Sequence, residues 1–329
     1  MKNRILGKTG LEVSELAMGG LFVASFAGDF DRAKAAVYRA LDLGVNYIDT
    51  APGYADSEAV LGRILDGVKI PFILSTKFGG RPQPFKPQDK ASLFDSLQES
   101  LRLLKRETID ILIIHEPDRP GQYNWWSDIE NVQGPVLEVL DELKRQGIIR
   151  FTGLGGTTAY EMAPLIESNK FDVVLTAFNY SLLWREAEHQ VLPAAIANHY
   201  GIIIGSPLQQ GALARRYTEE IARRPRWLSN PRREQFLALY RFLDELDMPL
   251  PELALRFVIS NPDISTTLMG ARSPEEVEKN VAAVEKGPLP IDIIKRLDEI
   301  YAMVPFRPFE EPFGLPFTSS YQGPGMAGR

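Results

Sequence analysis

The chain of 329 residues contains no cysteine, so disulfides, thiolate nucleophiles and cysteine-ligated metals are excluded. Histidine occurs three times, at His115, His189 and His199, which argues against a dedicated transition-metal site. No apolar run approaches the roughly 20 residues of a membrane span, and the opening MKNRILGKTG lacks the apolar core of a signal peptide. The expectation is a cytoplasmic protein. Positive charge is not in excess: 37 Lys and Arg against 43 Asp and Glu leave a net charge of −6. That balance argues against general affinity for nucleic acid or anionic membrane. No GxGxxG motif and no internal repeat occurs.

What is present is a soluble-protein composition, 44% hydrophobic and 24% charged. Its most informative stretch is VNYIDTAPGY, residues 45–54. A short β-branched run ends abruptly in Asp49, Thr50, Pro52, Gly53 and Tyr54, the pattern of a buried strand meeting a turn. A carboxylate at the mouth of such a strand needs a partner, because an unpaired buried charge is expensive. The next two strand-like runs, PFILSTK and IDILIIH, end in Lys77 and His115. Parallel strands of a barrel converge at their C-terminal ends, where active sites sit.

Strands alternate with helices along the chain. Residues 3–15 read as a hairpin, and strands are predicted over 16–18, 45–49, 71–77, 109–115, 148–154, 172–178, 201–205 and 265–269. Helices are predicted from a cap at Asp31 to about 43, from Asp56 through 65, and over 89–104, 134–146, 157–168, 184–199, 231–246, 251–260 and 273–284. A further helix over 291–304 precedes a Pro-, Gly- and Phe-rich tail, 305–329. Eight alternations predict one (β/α)8 TIM barrel spanning 1–304, with an N-terminal β-hairpin, a C-terminal helix and an extended tail.

The candidate catalytic residues form a chemical chain. A tyrosine hydroxyl, with a pKa of about 10, becomes a useful acid when an ammonium favours its phenolate. Lys77 supplies the ammonium and Asp49 holds it charged, while Tyr54 donates the proton and His115 orients a substrate oxygen. That is the acid half of carbonyl reduction; the hydride must come from a cofactor.

With these residues in place, the chain resembles the aldo-keto reductases. The matching motifs are GKTGLEVS, DTAPGY, STK, the strand ending IIH, SPL after strand seven, and GARSPEEVEKN. The resemblance implies a catalytic tetrad of Asp49, Tyr54, Lys77 and His115, and a nicotinamide cofactor bound across the barrel mouth without a Rossmann fold. The cofactor-binding set it implies is Gly20, Asp49, Gly155, Ser206, Leu208, Gly211, Gly270, Arg272, Glu276 and Asn280. Gly155-Gly156 stand where many members carry a Ser-Asn pair for the nicotinamide amide. The glutamine expected on strand six is replaced near Ala177, and the ring-stacking aromatic is Gly205. These departures are similar to the aldose and galactose dehydrogenase branch, so the implied substrate is a small carbonyl or a sugar. The alternative function is a cofactor-binding barrel that serves as a non-catalytic subunit. The sequence leaves the oligomeric state open.

Several residues carry two readings. Ser273, Pro274 and Glu276 make a helix start with a capping box. Arg272 lies outside that explanation and suits a phosphate. In the resembled family this region binds the adenosine 2′-phosphate, which implies NADP, and Asn280 binds adenine. Glu276 would repel that phosphate and could accept from a free ribose hydroxyl, which keeps NAD open. Arg215, Arg216, Arg223, Arg224, Arg226, Arg232 and Arg233 read as a solvated helix face paired with Glu219 and Glu220, or as a loop over the cofactor pyrophosphate. His189 and His199 read as solvated. Trp125 and Trp126 read equally as loop packing or a substrate wall. His115-Glu116-Pro117 resembles the Asn-Glu-Pro that ends strand four of barrel glycosidases. That chemistry needs a second carboxylate, and the end of strand seven, GSPLQQ, offers none.

Overall fold

The computed structural model describes residues 1–309 and 311–318. A two-stranded hairpin, β1 (Asn3–Ile5) with β2 (Glu12–Ser14), precedes the barrel strands β3 (Leu16–Gly19), β4 (Tyr47–Asp49), β5 (Ile73–Phe78), β6 (Ile109–His115), β7 (Ile149–Gly156), β8 (Val173–Ala177), β9 (Gly201–Gly205) and β10 (Thr266–Met269). These eight pair in parallel and close between β10 and β3. The helices are α1 (Phe30–Asp42), α2 (Ser57–Ile64), α3 (Lys90–Leu104), α4 (Pro135–Arg145), α5 (Ala159–Glu167), α6 (Val191–Ala197), α7 (Thr218–Ala222), α8 (Asn230–Leu246), α9 (Leu250–Ser260), α10 (Pro274–Glu285) and α11 (Ile291–Ala302). The expected (β/α)8 barrel with its N-terminal hairpin is therefore the fold.

Strand alternation builds two cores. Tyr47 on β4, Ile111 and Ile113 on β6, Val173 on β8 and Ile203 on β9 form a small inner cluster with Leu6 and Val13 of the hairpin. The strand residues between them face outward into a much larger core shared with the helices. The hairpin closes the bottom: Lys8 donates its backbone N–H to His199 O at 2.7 Å. Gly201 there lies so close to Leu6 that an added Cβ would stand 2.6 Å from its side chain. The opposite, C-terminal end is left for chemistry.

Some boundaries differ from expectation, each for a local reason. Asp29, not Asp31, caps α1, accepting from Arg32 N at 2.8 Å, while Asp31 sits in the first turn. Asp56 stands at the N-cap of α2, but its carboxylate accepts from Ser25 N at 2.9 Å instead of capping. The helix expected over 184–199 shrinks to a 3-10 turn, Glu186–His189, and α6. Trp184 and Arg185 are buried before it and are taken up by tertiary contacts. His189 and His199 are exposed, as expected.

The arginine-rich connection divides. Arg215 pairs with Glu220 at 2.7 Å and Arg223 approaches Glu219 at 3.8 Å, the solvated arrangement expected. Arg232 departs from it completely. Its guanidinium is buried under the tail, donating from Nε to Glu311 Oε2 at 2.7 Å and lying 4.7 Å from the Trp184 ring centroid. Trp184 Nε1 donates to the other oxygen of Glu311 at 2.6 Å, and Arg307 approaches it at 3.3 Å. So the tail is clamped as far as it is described: Phe313 packs on Phe178, and Phe317 stacks on Tyr217 at 4.3 Å. The remainder, 319–329, lies outside the described residues.

Removing one partner of a buried ion pair strands the other charge. Glu311→Ala is expected to cost about 3–5 kcal/mol in denaturant unfolding, whereas the paired change Arg232→Met with Glu311→Leu recovers much of the loss. Equal destabilisation by both variants would show that the loss does not come from a stranded Arg232 charge.

Candidate active site

The period of two along β4, β5 and β6 sends Tyr47 and Asp49, then Ser75 and Lys77, then Ile113 and His115 to the barrel interior. Register aligns them: Asp49 lies beside Ser75, and Lys77 beside Ile113. Lys77 Nζ donates to Asp49 Oδ2 at 2.6 Å and to Thr50 O at 2.8 Å, and both charged side chains are 1% exposed. The other carboxylate oxygen of Asp49 accepts from Ser75 Oγ at 2.6 Å, and Ser75 Oγ in turn accepts from the Tyr47 hydroxyl at 2.8 Å. A buried pair in which both carboxylate oxygens accept a hydrogen bond holds both charges in place.

Tyr54 rides on the turn after β4, its ring centroid 4.8 Å from Lys77 Nζ and 5.8 Å from the His115 ring, which meets it edge-on. Burial raises the Tyr54 pKa above its ordinary value, Lys77 pulls it down, and Asp49 pushes it up again. The expectation that the ammonium would lower it is met only in part, because desolvation is the larger effect. Lys77 itself is raised: burial acts against the charge, but Asp49 and Tyr54 more than offset it. His115 is pushed down to about 3 by burial and by the Lys77 charge, so its imidazole is neutral. Its Nδ1 is buried without a hydrogen-bond partner among the described residues, while its backbone oxygen accepts from Trp125 Nε1 at 2.9 Å. Trp126 Nε1 donates to Pro117 O at 2.9 Å. Both tryptophans are buried packing for the loop and not an open wall.

The other residues singled out lie at the C-terminal ends of neighbouring strands. Gly20 follows β3, Gly155 ends β7 opposite His115, and Ser206, Leu208 and Gly211 follow β9. Gly270 follows β10 and lies under Phe22, where a Cβ would come within 2.6 Å of the ring. Arg272 is exposed and stacks 4.4 Å from the Phe22 centroid, without a carboxylate partner among the described residues. Ser273 Oγ accepts from Glu276 N, and Glu276 Oε2 accepts from Arg272 N at 2.8 Å. One oxygen of Glu276 is thus committed to the loop. Asn280 is half-buried, its Nδ2 3.8 Å from Met269 Sδ.

The Gly155-Gly156 departure has a steric cause. A Cβ on Gly156 would lie 2.5 Å from Asp118 Oδ1 and 2.4 Å from Met162 Sδ. Asp118 fills that space while its Oδ2 accepts from Thr157 N at 3.0 Å and Thr158 N at 2.6 Å. Beside it stands Glu116, whose pKa is pushed up to about 7 by burial first and then by Asp118. Sequence reasoning weighed Glu116 only as a glycosidase acid and passed over Asp118, Thr157 and Phe313. The composition HEPD directly after a strand end was the available signal.

At its C-terminal mouth the parallel barrel thus gathers a buried lysine–carboxylate pair, a tyrosine and a histidine. Comparison with known proteins is more specific. The model of the Aldo/keto reductase family matches residues 16–302, and the chain belongs to that family of oxidoreductases. It is 29% identical to the NADH-specific methylglyoxal reductase of Escherichia coli, over 86% of this chain and 94% of that protein. It is also 29% identical to the L-galactose dehydrogenase of Arabidopsis thaliana, over 85% of this chain and 87% of that one. Among solved structures it is similar to an aldo-keto reductase of Bacillus halodurans in its holo form, with a TM-score of 0.72, 27% identity, and coverage of 91% of this chain and 96% of that one.

The depressed His115 pKa makes a testable statement. Between about 6.5 and about 3 the unfolded chain binds a proton at this residue that the folded chain does not. Folding stability therefore falls as pH is lowered through that window. His115→Asn is expected to flatten the fall by up to about 1.4 kcal/mol per pH unit, measured by urea unfolding at several pH values. Parallel slopes for the two proteins would mean that the imidazole is not desolvated.

Proposed function

We propose that the protein is a nicotinamide-dependent oxidoreductase that interconverts an aldehyde, ketone or sugar carbonyl with its alcohol, using Tyr54 as general acid and base. The observation that carries this reading is the Lys77–Asp49 pair, held at 2.6 Å and 1% exposure directly beneath the Tyr54 ring. Such a pair has no role in packing that an apolar pair would not fill better.

The mouth fits a dinucleotide. Arg272 stands without a carboxylate partner among the described residues at the N-terminus of α10, where a phosphate gains both the guanidinium and the helix dipole. Bound there, the nicotinamide supplies or takes up a hydride. The protein's own residues handle the proton. In reduction, Tyr54 donates its hydroxyl proton to the substrate oxygen, and Lys77 stabilises the phenolate left behind until solvent reprotonates it. His115, neutral, presents an imidazole to the same oxygen without adding charge. In oxidation the proton path reverses. NADP is the favoured cofactor because Arg272 has no carboxylate partner among the described residues, while Glu276 has one oxygen occupied by its own loop.

Tyr54→Phe is expected to lower turnover by at least about 100-fold, the scale of a general acid, with cofactor affinity unchanged. A loss below tenfold, assayed on aldehydes and aldoses with each cofactor, would assign protonation to another group. Arg272→Ala is expected to weaken NADPH binding by about 1.5–3 kcal/mol and leave NADH unmoved, read by fluorescence titration. Equal loss of both nucleotides would make Arg272 structural and remove the preference for NADP.

A further inference from the structure

Glu116 is a charged residue beside the tetrad that the proton chemistry does not use. It follows His115 directly, in left-handed backbone geometry with φ of 50°, a conformation that costs a non-glycine residue about 1 kcal/mol or more. Its amide donates to Gly155 O at 2.7 Å, so the strand end and the residue are tied to β7. Only one of its carboxylate oxygens is engaged. Oε2 accepts from Thr157 Oγ1 at 2.8 Å and lies 3.3 Å from Arg119 Nε. Oε1 takes no hydrogen bond among the described residues, and 14% of the side chain remains exposed. Asp118, two residues on, differs: its Oδ2 is spent on the Thr157 and Thr158 amides and its side chain is closed off.

The surroundings of Glu116 are amphipathic. The Arg119 guanidinium lies 5.1 Å from the Phe313 ring centroid, and Phe313 rests on Phe178 at the end of β8. The clamp on Glu311 fixes this aromatic wall in place. Polar acceptors on one side and an aromatic wall on the other match a molecule with hydroxyls on its edge and C–H groups on its face. A plain apolar aldehyde leaves a desolvated carboxylate oxygen with nothing to accept from, which penalises its binding.

We propose that Glu116 selects hydroxyl-bearing substrates, its free carboxylate oxygen accepting a hydrogen bond from a sugar hydroxyl near the carbon that reacts. The inference rests on the oxidoreductase reading and names its substrate class: an aldose or related polyol in preference to an unsubstituted aldehyde. The groups facing this carboxylate are Asp118 and Arg119 from its own loop, Thr157 after β7, and Lys77 and Tyr54 across the mouth.

The test compares two substrate classes on wild type and Glu116→Gln, with a panel of aldoses oxidised by NADP or NAD and 4-nitrobenzaldehyde reduced by the matching reduced cofactor. Glu116→Gln is expected to lower kcat/KM for the best aldose by about 10- to 100-fold, the loss of a charged hydrogen bond, mainly through KM. Turnover of 4-nitrobenzaldehyde and the cofactor Kd are expected to stay within about threefold, since neither uses that oxygen. Equal losses on both substrates, a weakened cofactor Kd, or no change on aldoses would each overturn the assignment. Wild-type turnover of 4-nitrobenzaldehyde with no aldose accepted would overturn it while leaving the oxidoreductase reading intact. Turnover of neither class would remove that reading as well.

Discussion

The buried pair of Lys77 with Asp49 is the constraint on which the upper half of the barrel depends. Two charges at 1% exposure persist only if they are paired and hydrogen-bonded, and β4 and β5 together meet that condition. Ser75 Oγ and the Tyr47 hydroxyl serve the carboxylate, and Thr50 O serves the ammonium. A register slip between β4 and β5 would turn every one of these groups to the helical side. The pair therefore ties the strand register to the chemistry: the arrangement that keeps the charges paired also places the ammonium under the Tyr54 ring.

The second anchor lies at the tail. Arg232 on α8 and Arg307 hold Glu311 beneath the surface, with Trp184 as donor and stacking partner. This cluster joins the loop after β8 to the chain's last described segment, and so sets the outer wall of the mouth at Phe178 and Phe313. Glu116 and Arg119 lie beside this wall, with the Arg119 guanidinium 5.1 Å from the Phe313 ring centroid and its Nε 3.3 Å from Glu116 Oε2.

Much of this was legible from residue order. Strand and helix alternation, the strand-end positions of Asp49, Lys77 and His115, and the motifs shared with aldo-keto reductases all rest on local patterns of period two and 3.6. The solvated Arg215 and Arg223 were legible as well, because their partners are close in sequence. Arg232 was not, because Glu311 lies 79 residues away and nothing local distinguishes a buried arginine from an exposed one. The capping role of Asp56 failed for a similar reason, since Ser25 competes for its carboxylate across the fold.

By itself, then, the sequence determined the barrel, the family and the strand-end positions of Asp49, Lys77 and His115, since these depend on spacing along single strands and on turns. Tertiary structure alone decided the charge states. Burial holds His115 neutral and Tyr54 protonated, and it brings the Glu116 carboxyl to about 7. It also decided that Asp118 occupies the space over Gly156 and that Phe313 of the tail packs on Phe178. Desolvation and steric occupancy are sums over neighbours from distant parts of the chain, and no local pattern encodes them.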